Sequence, residues 1–241
     1  MVEKVGLESY EPELLEKLSE LCGIILGDGN LHKSANRITI TGSLDDKKYY
    51  EETVIPLFQT CFSKTPKMKR AKEKNSYYLY VENKKIFQIF IGDLGLKRGS
   101  KLDASVPSWI YNFNCEASCL RGLFDTDGCL KFSKQAKNYH YYPRIRLCFR
   151  DSPLVNDIRN LLQITGFNFS SWPDRRYSTT YYEISGNKNL EKWFKTVGMH
   201  NPVHRSKYLL WKKTEKGFPR SVLSERLKMI NSTTYFRNTS L

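Results

Sequence analysis

Two aspartates, Asp28 and Asp127, stand at the same point of a segment that occurs twice in the chain. Residues 21–29 read Leu-Cys-Gly-Ile-Ile-Leu-Gly-Asp-Gly, and residues 120–128 read Leu-Arg-Gly-Leu-Phe-Asp-Thr-Asp-Gly. Each copy is largely apolar and supplies one carboxylate near its end. Because two carboxylates can share divalent metal ions that one carboxylate binds weakly, the duplication predicts two half-sites that meet at one metal-binding centre.

The net charge indicates what such a centre acts on. The chain has 39 Lys and Arg residues against 25 Asp and Glu residues, which gives a net charge of +14 at pH 7. This excess is typical of proteins that bind a polyanion. Residues 1–112 hold 17 basic and 15 acidic side chains, whereas residues 113–241 hold 22 and 10. We therefore expect the second half to supply more of the salt-sensitive attraction to phosphate.

Composition narrows the class of protein further. An apolar content of 40%, with 13% aromatic residues, excludes general disorder. No apolar run approaches the roughly 18 residues of a membrane span, and the N-terminus lacks a signal-peptide pattern. We therefore expect an intracellular protein with no membrane partner, cytoplasmic in a prokaryote or resident in an organelle. Among the cysteines and histidines, the pairs Cys115/Cys119 and His200/His204 lack matching partner pairs, so reduced thiols are favoured over a zinc site.

The spacing of apolar residues predicts the elements that position the two aspartates. Leucines and isoleucines recur at helical spacing from Pro12 to Gly29, which indicates a helix that ends at Asp28. Alternating strands and further helices follow, and the second half repeats their order. We therefore predict an α+β fold with two pseudo-symmetric αββαββα repeats. The predicted elements are helices over 12–29, 45–62 and 84–94 with strands over 30–33, 37–41, 67–71 and 77–81, then helices over 115–127, 152–165 and 187–197 with strands over 129–134, 143–149, 168–173 and 179–185.

The same pattern divides the chain into four parts. Residues 1–102 form the N-terminal repeat, residues 103–114 the linker, and residues 115–211 the C-terminal repeat. Residues 212–241 form a basic extension that has no counterpart in the first half. We expect this extension to add a helix around 221–230, which either contacts backbone phosphates or packs against the repeat.

Small residues lie four apart on one face of each repeated helix. They allow the two helices to pack backbone to backbone, which brings Asp28 and Asp127 together at the helix ends. Two adjacent carboxylates raise each other's pKa, and a divalent metal relieves their repulsion. The alternative is a pair of ordinary core helices that end in Asp-Gly turns. The small residues are Gly23 and Gly27 in the first helix and Gly122 and Thr126 in the second.

The paired segments resemble the LAGLIDADG motif, and residues 11–211 resemble the single-chain, two-repeat form of the LAGLIDADG homing endonuclease family. This resemblance implies motif helices packed at the centre and antiparallel sheets that form a DNA-binding saddle over the major groove. It implies a monomer that uses Mg²⁺ or Mn²⁺ to cleave a long site in double-stranded DNA, as in intron homing, leaving short 3′ overhangs. It assigns metal binding to Asp28 and Asp127, with the backbone carbonyls of Gly27 and Thr126 as further ligands.

The chain matches this family pattern at further positions and departs from it at others. Lys101 and Lys207 match the basic residue that follows the last helix of each repeat and points into the active site. There they could polarise the scissile phosphate or the attacking water. Leu26 replaces the earlier aspartate of the first motif, whereas Asp125 retains it in the second. Arg121 stands where a small residue is usual, and its bulk must avoid the helix interface.

Strand alternation supplies candidate base readers. Side chains two apart on a strand share one face, and Asn and Arg make bidentate contacts to bases in the major groove. If each sheet follows the groove for one turn, the site spans roughly 20 base pairs. A match of residues 77–86 with 181–190 aligns the outer strands, so that Tyr182 is grouped with Tyr78 and Tyr80. The candidates are Asn30, His32, Ser34, Arg37, Thr39, Thr41, Ser43, Lys67 and Lys69 in the first half, and Lys131, Ser133, Arg144, Arg146, Arg150, Arg175 and Arg176 in the second.

Three functions remain in competition on these grounds. The first is a metal-dependent endonuclease, in which bound metal activates a water and stabilises the leaving 3′ oxygen. The second is an intron RNA maturase or a DNA-binding regulator that uses the same saddle without cutting. The third is a phosphotransferase of the haloacid dehalogenase class, because residues 123–128 resemble its nucleophile loop. That class requires the motif after a strand of an alternating α/β domain, and the first copy lacks the nucleophile.

Overall fold

The computed structural model describes residues 6–71, 74–134 and 140–232. Its first repeat begins with helix α1, Pro12–Gly27, whose last residues belong to the first motif copy. The remaining elements, in chain order, are β1 Gly29–Leu31, β2 Arg37–Ser43, α2 Lys47–Tyr49, α3 Ile55–Phe62, β3 Lys67–Ala71, β4 Ser76–Glu82 and α4 Lys84–Gln88.

The second repeat follows the same order after a connecting segment that contains a short helix, α5 Ser108–Asn112. Its first helix, α6, is Glu116–Asp127 and carries the second motif copy. The later elements are β5 Gly128–Lys134, β6 His140–Arg150, α7 Pro153–Ile164, β7 Ser170–Asp174, β8 Thr179–Ser185 and α8 Asn187–Thr196, and two further helices are α9 Pro202–Thr214 and α10 Leu223–Asn231.

Each repeat contains one four-stranded antiparallel sheet. The strand orders are β1-β2-β4-β3 and β5-β6-β8-β7, so the two sheets have the same topology. This confirms the predicted α+β fold of two pseudo-symmetric repeats. The haloacid dehalogenase alternative is wrong, because residues 123–128 lie at the end of α6 and both sheets are antiparallel. Among the described residues, no helix has the length and apolar character needed to cross a membrane.

Helices α1 and α6 pack against each other at the centre of one continuous apolar core. Their backbones touch at the small residues: a Cβ added at Gly23 would overlap the Cys119 carbonyl oxygen, and one at Gly122 would overlap the carbonyl oxygen of Glu20. A Cβ at Gly27 would overlap the Thr126 side chain. The predicted backbone-to-backbone contact is therefore confirmed.

The predicted helix over 45–62 is interrupted. A π-helical turn, Tyr50–Val54, separates α2 from α3, and Pro56 lies in the first turn of α3. Proline has no N–H to donate, and its ring clashes with the carbonyl four residues earlier in a regular α-helix. A wider π turn before Pro56 is consistent with that clash. Tyr49 and Tyr50 are buried on this segment.

The described part of the extension is helical and packs on the second repeat. Helix α10 confirms the helix that we predict around residues 221–230. Helix α9 was not predicted, although its signal is local: the Asn201 side chain accepts a hydrogen bond from the Val203 N–H at 2.9 Å, and Pro202 fills the first turn. Residues 233–241 of the predicted extension lie outside the described residues.

Candidate metal centre and nucleic-acid interface

The two aspartates occupy matching ends of the central helices. Asp28 caps the C-terminus of α1, and Asp127 is the last residue of α6. A Cβ added at Gly27 would lie 3.1 Å from the Asp127 Oδ2 atom, so the second carboxylate lies directly beside the end of the first helix. Asp28 is half-buried, whereas Asp127 is exposed. The structure therefore brings the two carboxylates together at the helix ends, with Asp127 open to solvent.

The electrostatics of this centre are those of two partly desolvated carboxylates with one cationic neighbour, Lys101. Desolvation by the surrounding protein, together with the charges of Asp127 and Asp46 and against the opposing charge of Lys101, raises the pKa of Asp28 to about 7. Desolvation also raises the pKa of Asp127, again opposed by Lys101. The pKa of Lys101 is lowered by desolvation, although both aspartates act against this. The charge of Lys101 therefore acts on both carboxylates.

Lys207 has different surroundings from Lys101. It lies within α9, and its Nζ atom donates a hydrogen bond to the Leu130 carbonyl at 3.1 Å. Desolvation lowers its pKa; among the described charges, Cys129 opposes this shift and Arg226 reinforces it. Neither aspartate of the centre contributes to that shift. The two lysines, which sequence comparison treats as equivalents, are therefore placed differently.

A second group with metal-ligand atoms lies beside the central helices. Ligand atoms of Glu20, Asp125 and His200 lie within 4.8 Å of one another. Both Glu20 oxygens already have partners, since Oε2 accepts from Arg121 at 2.7 Å and Oε1 lies 2.7 Å from His200 Nδ1. Burial acts to raise the pKa of Glu20, but His200 and Arg121 hold it below its usual range.

This buried group connects the repeats. Arg121 avoids the helix interface, as its bulk requires, by extending from α6 to Glu20 of α1 and donating to the Val197 carbonyl at 2.9 Å. The His200 N–H donates to Asp125 Oδ2 at 2.7 Å. Because an arginine already supplies the positive charge, this group fits a structural ion-pair network better than a metal site.

The first sheet presents a polar row on its exposed face. Asn30 is opposite Thr39 in the strand register, Thr39 is opposite Tyr80, and Tyr80 is opposite Lys67. The Lys69 ammonium lies 5.4 Å from the centre of the Tyr80 ring. Four of the predicted first-half candidates therefore share one face that a DNA groove could meet.

One predicted first-half candidate does not follow strand alternation. Strand β1 ends at Leu31, but the His32 N–H still donates to the Arg37 carbonyl of β2 at 3.0 Å. The His32 Nε2 atom lies 2.9 Å from Thr39 Oγ1, so His32 shares the face of Asn30 and Thr39. Ser34 lies in the connection to β2, so the count by two from Asp28 fails at this residue.

The second sheet has arginines and an acid on its exposed face. Arg146 is opposite both Cys129 and Glu183, and Lys131 is opposite Arg144. The Glu183 carboxylate accepts from Arg146 at 2.6 Å and also pairs with Arg144. Sequence reasoning missed Glu183, although strand alternation from Tyr181 could have found it. Glu183 thus holds both arginine side chains in place on this face.

The aromatic residue on this face is Tyr181 rather than Tyr182. Tyr182 is buried and donates to the Val155 carbonyl at 2.7 Å. Tyr181 instead stacks on Trp172, with ring centres 5.6 Å apart, and the Arg146 guanidinium lies over the pair. The proposed match of residues 77–86 with 181–190 is therefore wrong by one residue, and such a slip reverses the face of every side chain.

The other predicted contact residues occupy sheet edges and turns. Ser43 ends β2, and its hydroxyl donates to Asp46 Oδ2 at 2.8 Å, which caps the next helical turn. Arg176 pairs with Asp174 at 2.9 Å. Arg37, which pairs with Glu82, and Thr41 and Arg150 are exposed on strands, Ser133 is half-buried on β5, and Arg175 is exposed in the turn between β7 and β8.

The raised pKa of Asp28 predicts how stability depends on pH without metal. In the folded state the Asp28 carboxyl keeps its proton up to about pH 7, whereas in the unfolded state it loses the proton near its ordinary pKa of 3.8. The stabilising contribution is therefore complete below about pH 4 and is lost as pH rises toward 7. The full shift corresponds to about 4 kcal/mol, an upper limit because Asp28 reaches solvent.

We therefore expect the free energy of unfolding in EDTA to fall between pH 5 and 7.5, and to fall by about 1–3 kcal/mol less in Asp28→Asn. Urea unfolding at the two pH values measures this difference. Asp93→Asn removes an exposed carboxylate elsewhere and serves as the control. Identical pH dependence in Asp28→Asn and Asp93→Asn would contradict the raised pKa.

Comparisons with known proteins agree with this geometry. Residues 114–198 match the family model of the LAGLIDADG-like domain. The replication factor C small subunit of Methanocaldococcus jannaschii is 35% identical over 121 residues, which cover 49% of this chain and 6% of that protein. This chain spans only 6% to 12% of the lengths of the curated relatives it matches.

Two solved structures share the fold. The homing endonuclease I-DmoI in complex with DNA and Mn has a TM-score of 0.53 and 20% identity, covering 77% of this chain and 97% of that chain. Full-length DUF199/WhiA from Thermatoga maritima has a TM-score of 0.52 and 20% identity, covering 77% of this chain and 56% of that chain. Residues 114–198 therefore match a LAGLIDADG-like domain, and the chain has the two-repeat fold of these structures.

Proposed function

We propose that this chain is a site-specific DNA endonuclease that hydrolyses both strands of a long duplex site and leaves short 3′ overhangs. The observation that carries the proposal is the meeting of Asp28 and Asp127 beside Lys101 at the ends of the central helices. Their pKa values are raised because the protein desolvates both carboxylates, and the charge of Lys101 offsets this only in part. An acidic pair of this kind, open to solvent, is suited to a divalent cation.

The donor set fits Mg²⁺ or Mn²⁺. Asp28 and Asp127 supply carboxylate oxygens, and Gly27 and Thr126 supply carbonyls at helix C-termini, where the last carbonyls lack intrahelical partners. When bound, the metal would lower the pKa of an attacking water and stabilise the leaving 3′ oxygen. Lys101 is placed to donate a hydrogen bond to the scissile phosphate and to offset its charge.

The rest of the molecule is suited to a DNA partner. The two sheets present Asn30, Thr39, Arg144 and Arg146 on matching faces. The net charge of +14 favours association with phosphate backbones. The structural likeness to I-DmoI, solved in complex with DNA and Mn, supports the same partner and the same class of metal.

The second candidate is a DNA- or RNA-binding protein that does not cut. The placement of Lys207 favours it, because the centre then has one basic residue beside the two carboxylates where the resemblance implies two. Both candidates require the same nucleic-acid surface. Catalysis at the aspartate pair distinguishes them.

The deciding experiment is selection from a randomised duplex library. The protein is incubated with the library in Mg²⁺, in Mn²⁺ and in EDTA, and the cut ends are sequenced. We expect one long consensus, cut on both strands with a 3′ overhang, in either metal and not in EDTA. Tight, salt-sensitive binding with no cut in either metal would instead establish the non-cleaving protein.

A further inference from the structure

A pocket of about 200 Å³ lies between the edge strand β5, helix α9 and the C-terminal extension. Three cationic side chains line it, Lys131 from β5, Lys207 from α9 and Arg226 from α10. Phe218 and Pro219 of the extension form another wall. Among the described residues that line this pocket, none carries a carboxylate. The pocket is therefore strongly positive.

The extension packs closely against the second repeat beside this pocket. A Cβ added at Gly217 would overlap the Phe132 side chain of β5, so the backbone passes directly over that ring. The Trp211 ring of α9 also stacks on the Phe132 ring, with ring centres 6.1 Å apart. These contacts fix residues 217–219 against the second repeat. The pocket is thus built by tertiary packing.

Arg226 is buried without an ion-pair partner. Its side chain is held by neutral oxygens: Nε donates to Ser206 Oγ at 2.9 Å, one terminal nitrogen donates to the Val203 carbonyl at 3.3 Å, and the other donates to the Ser221 carbonyl. The residue is 4% exposed. Within the described chain, Arg226 forms no salt bridge.

Lys207, like Arg226, has no carboxylate partner in the described chain. The Leu130 carbonyl accepts one of its three N–H donors, and within the described ranges no carboxylate pairs with it. Burial lowers the pKa of both Lys207 and Arg226, and Arg226 lowers that of Lys207 further. The charges of Asp45 and Glu225 oppose the shift of Arg226, although neither pairs with it, and Cys129 opposes that of Lys207. Charged groups in a protein interior are normally paired, because desolvation is costly. The charge that would complete this arrangement is an anion.

The corresponding place in the described part of the first repeat holds a much smaller cavity. The Leu31 carbonyl, which matches Leu130 by distance from the motif aspartate, accepts from the Gly99 N–H at 2.8 Å. The cavity beside it measures about 20 Å³, enough for about one water molecule. The larger pocket is therefore a property of the second repeat, which also holds the greater excess of basic residues.

We propose that Lys131, Lys207 and Arg226 form a phosphate-binding pocket that holds one backbone phosphate of the DNA strand running past Asp127. Strand β5 begins directly after Asp127, and Lys131 is its fourth residue, so a phosphate in the pocket lies on the strand next to the cleavage centre. The extension is then part of the DNA-binding surface. This inference deepens the proposed function, since it takes DNA as the ligand.

The test is the salt dependence of binding to a random-sequence duplex in EDTA. Each phosphate contact contributes about 0.9 to the slope of log K against log salt. We expect Lys131→Met, Lys207→Met and Arg226→Met each to lower that slope by about one. Lys195→Met removes the same charge from the exposed face of α8 and should leave the slope at the wild-type value.

The two lysine variants decide the result if Arg226→Met proves unstable in a thermal melt, because Lys207 loses one hydrogen bond and Lys131 loses none that the structure shows. Wild-type slopes in both lysine variants would overturn the pocket. The measurement uses no metal and no specific site. A lowered slope with no cleavage in the library selection would thus support the pocket and reject the endonuclease. Cleavage in the selection together with wild-type slopes in both lysine variants would support the endonuclease and reject the pocket.

Discussion

Asp28→Asn and Asp127→Asn are each expected to bind the selected duplex and to cleave it about 10³-fold more slowly than the wild type. Asparagine keeps the shape of the side chain but removes the charge that holds a divalent metal. The two carboxylates lie at one centre, so loss of either one disrupts metal binding by the pair. Single-turnover cleavage of the selected duplex in Mg²⁺ measures the effect, and binding in EDTA shows that the DNA surface is intact.

The matched control is Asp93→Asn. Asp93 is exposed in the π-helical turn Ile89–Asp93, which lies outside the centre. The Asp93→Asn variant removes the same charge and should cleave at the wild-type rate. Cleavage by either motif variant within tenfold of the control would mean that the aspartate pair does not hold the catalytic metal.

The central contact and the pair of aspartates could be predicted from the sequence because local patterns determine them. Helical spacing places Gly23 and Gly122 on one face of each helix, and the aspartate follows at a fixed distance. Two copies of the same pattern then require the same packing. This is why the α+β fold of two similar repeats and the meeting of Asp28 with Asp127 follow from the residues.

It was harder to predict which side chains of a strand lie on the exposed face of the sheet, because this depends on where each strand leaves its sheet. Residues 77–86 and 181–190 are similar in type, but they differ by one residue in register, so that Leu79 and Tyr182 are the equivalent core residues. Similar residue types cannot reveal a one-residue slip. The register of β6 with β8 does reveal it, because it places Glu183 opposite Arg146.

The positive pocket could not be predicted, because its three cations are distant in sequence. Lys131, Lys207 and Arg226 belong to a strand and two helices, and nothing in the first repeat corresponds to α10. The internal comparison that found Asp28 and Asp127 therefore grouped Lys207 with Lys101. In the structure, α9 carries Lys207 toward the extension, and the two lysines have different neighbours.

Gly23→Ala and Gly122→Ala are each expected to lower the free energy of unfolding by about 3 kcal/mol, and the melting temperature by roughly 6–12 °C. The added methyl at Gly23 would overlap the Cys119 carbonyl oxygen and lie 3.0 Å from the Leu123 nitrogen, and at Gly122 it would lie 2.8 Å from the Ile24 nitrogen. These atoms belong to helix backbones, so relief requires the helices to separate. That loss exceeds the gain of about 1 kcal/mol in helix propensity.

Gly92→Ala is the control for this prediction, because a Cβ at Gly92 meets nothing within 4 Å. We expect it to change stability by less than about 1 kcal/mol. Thermal and urea unfolding compare the three variants, and melting temperatures for Gly23→Ala and Gly122→Ala equal to that of Gly92→Ala would show that the helices do not rely on backbone contact. Separation of α1 from α6 also moves Asp28 away from Asp127. Both interface variants should therefore lose cleavage at temperatures where they remain folded, which links the packing of the two motif helices directly to the proposed chemistry.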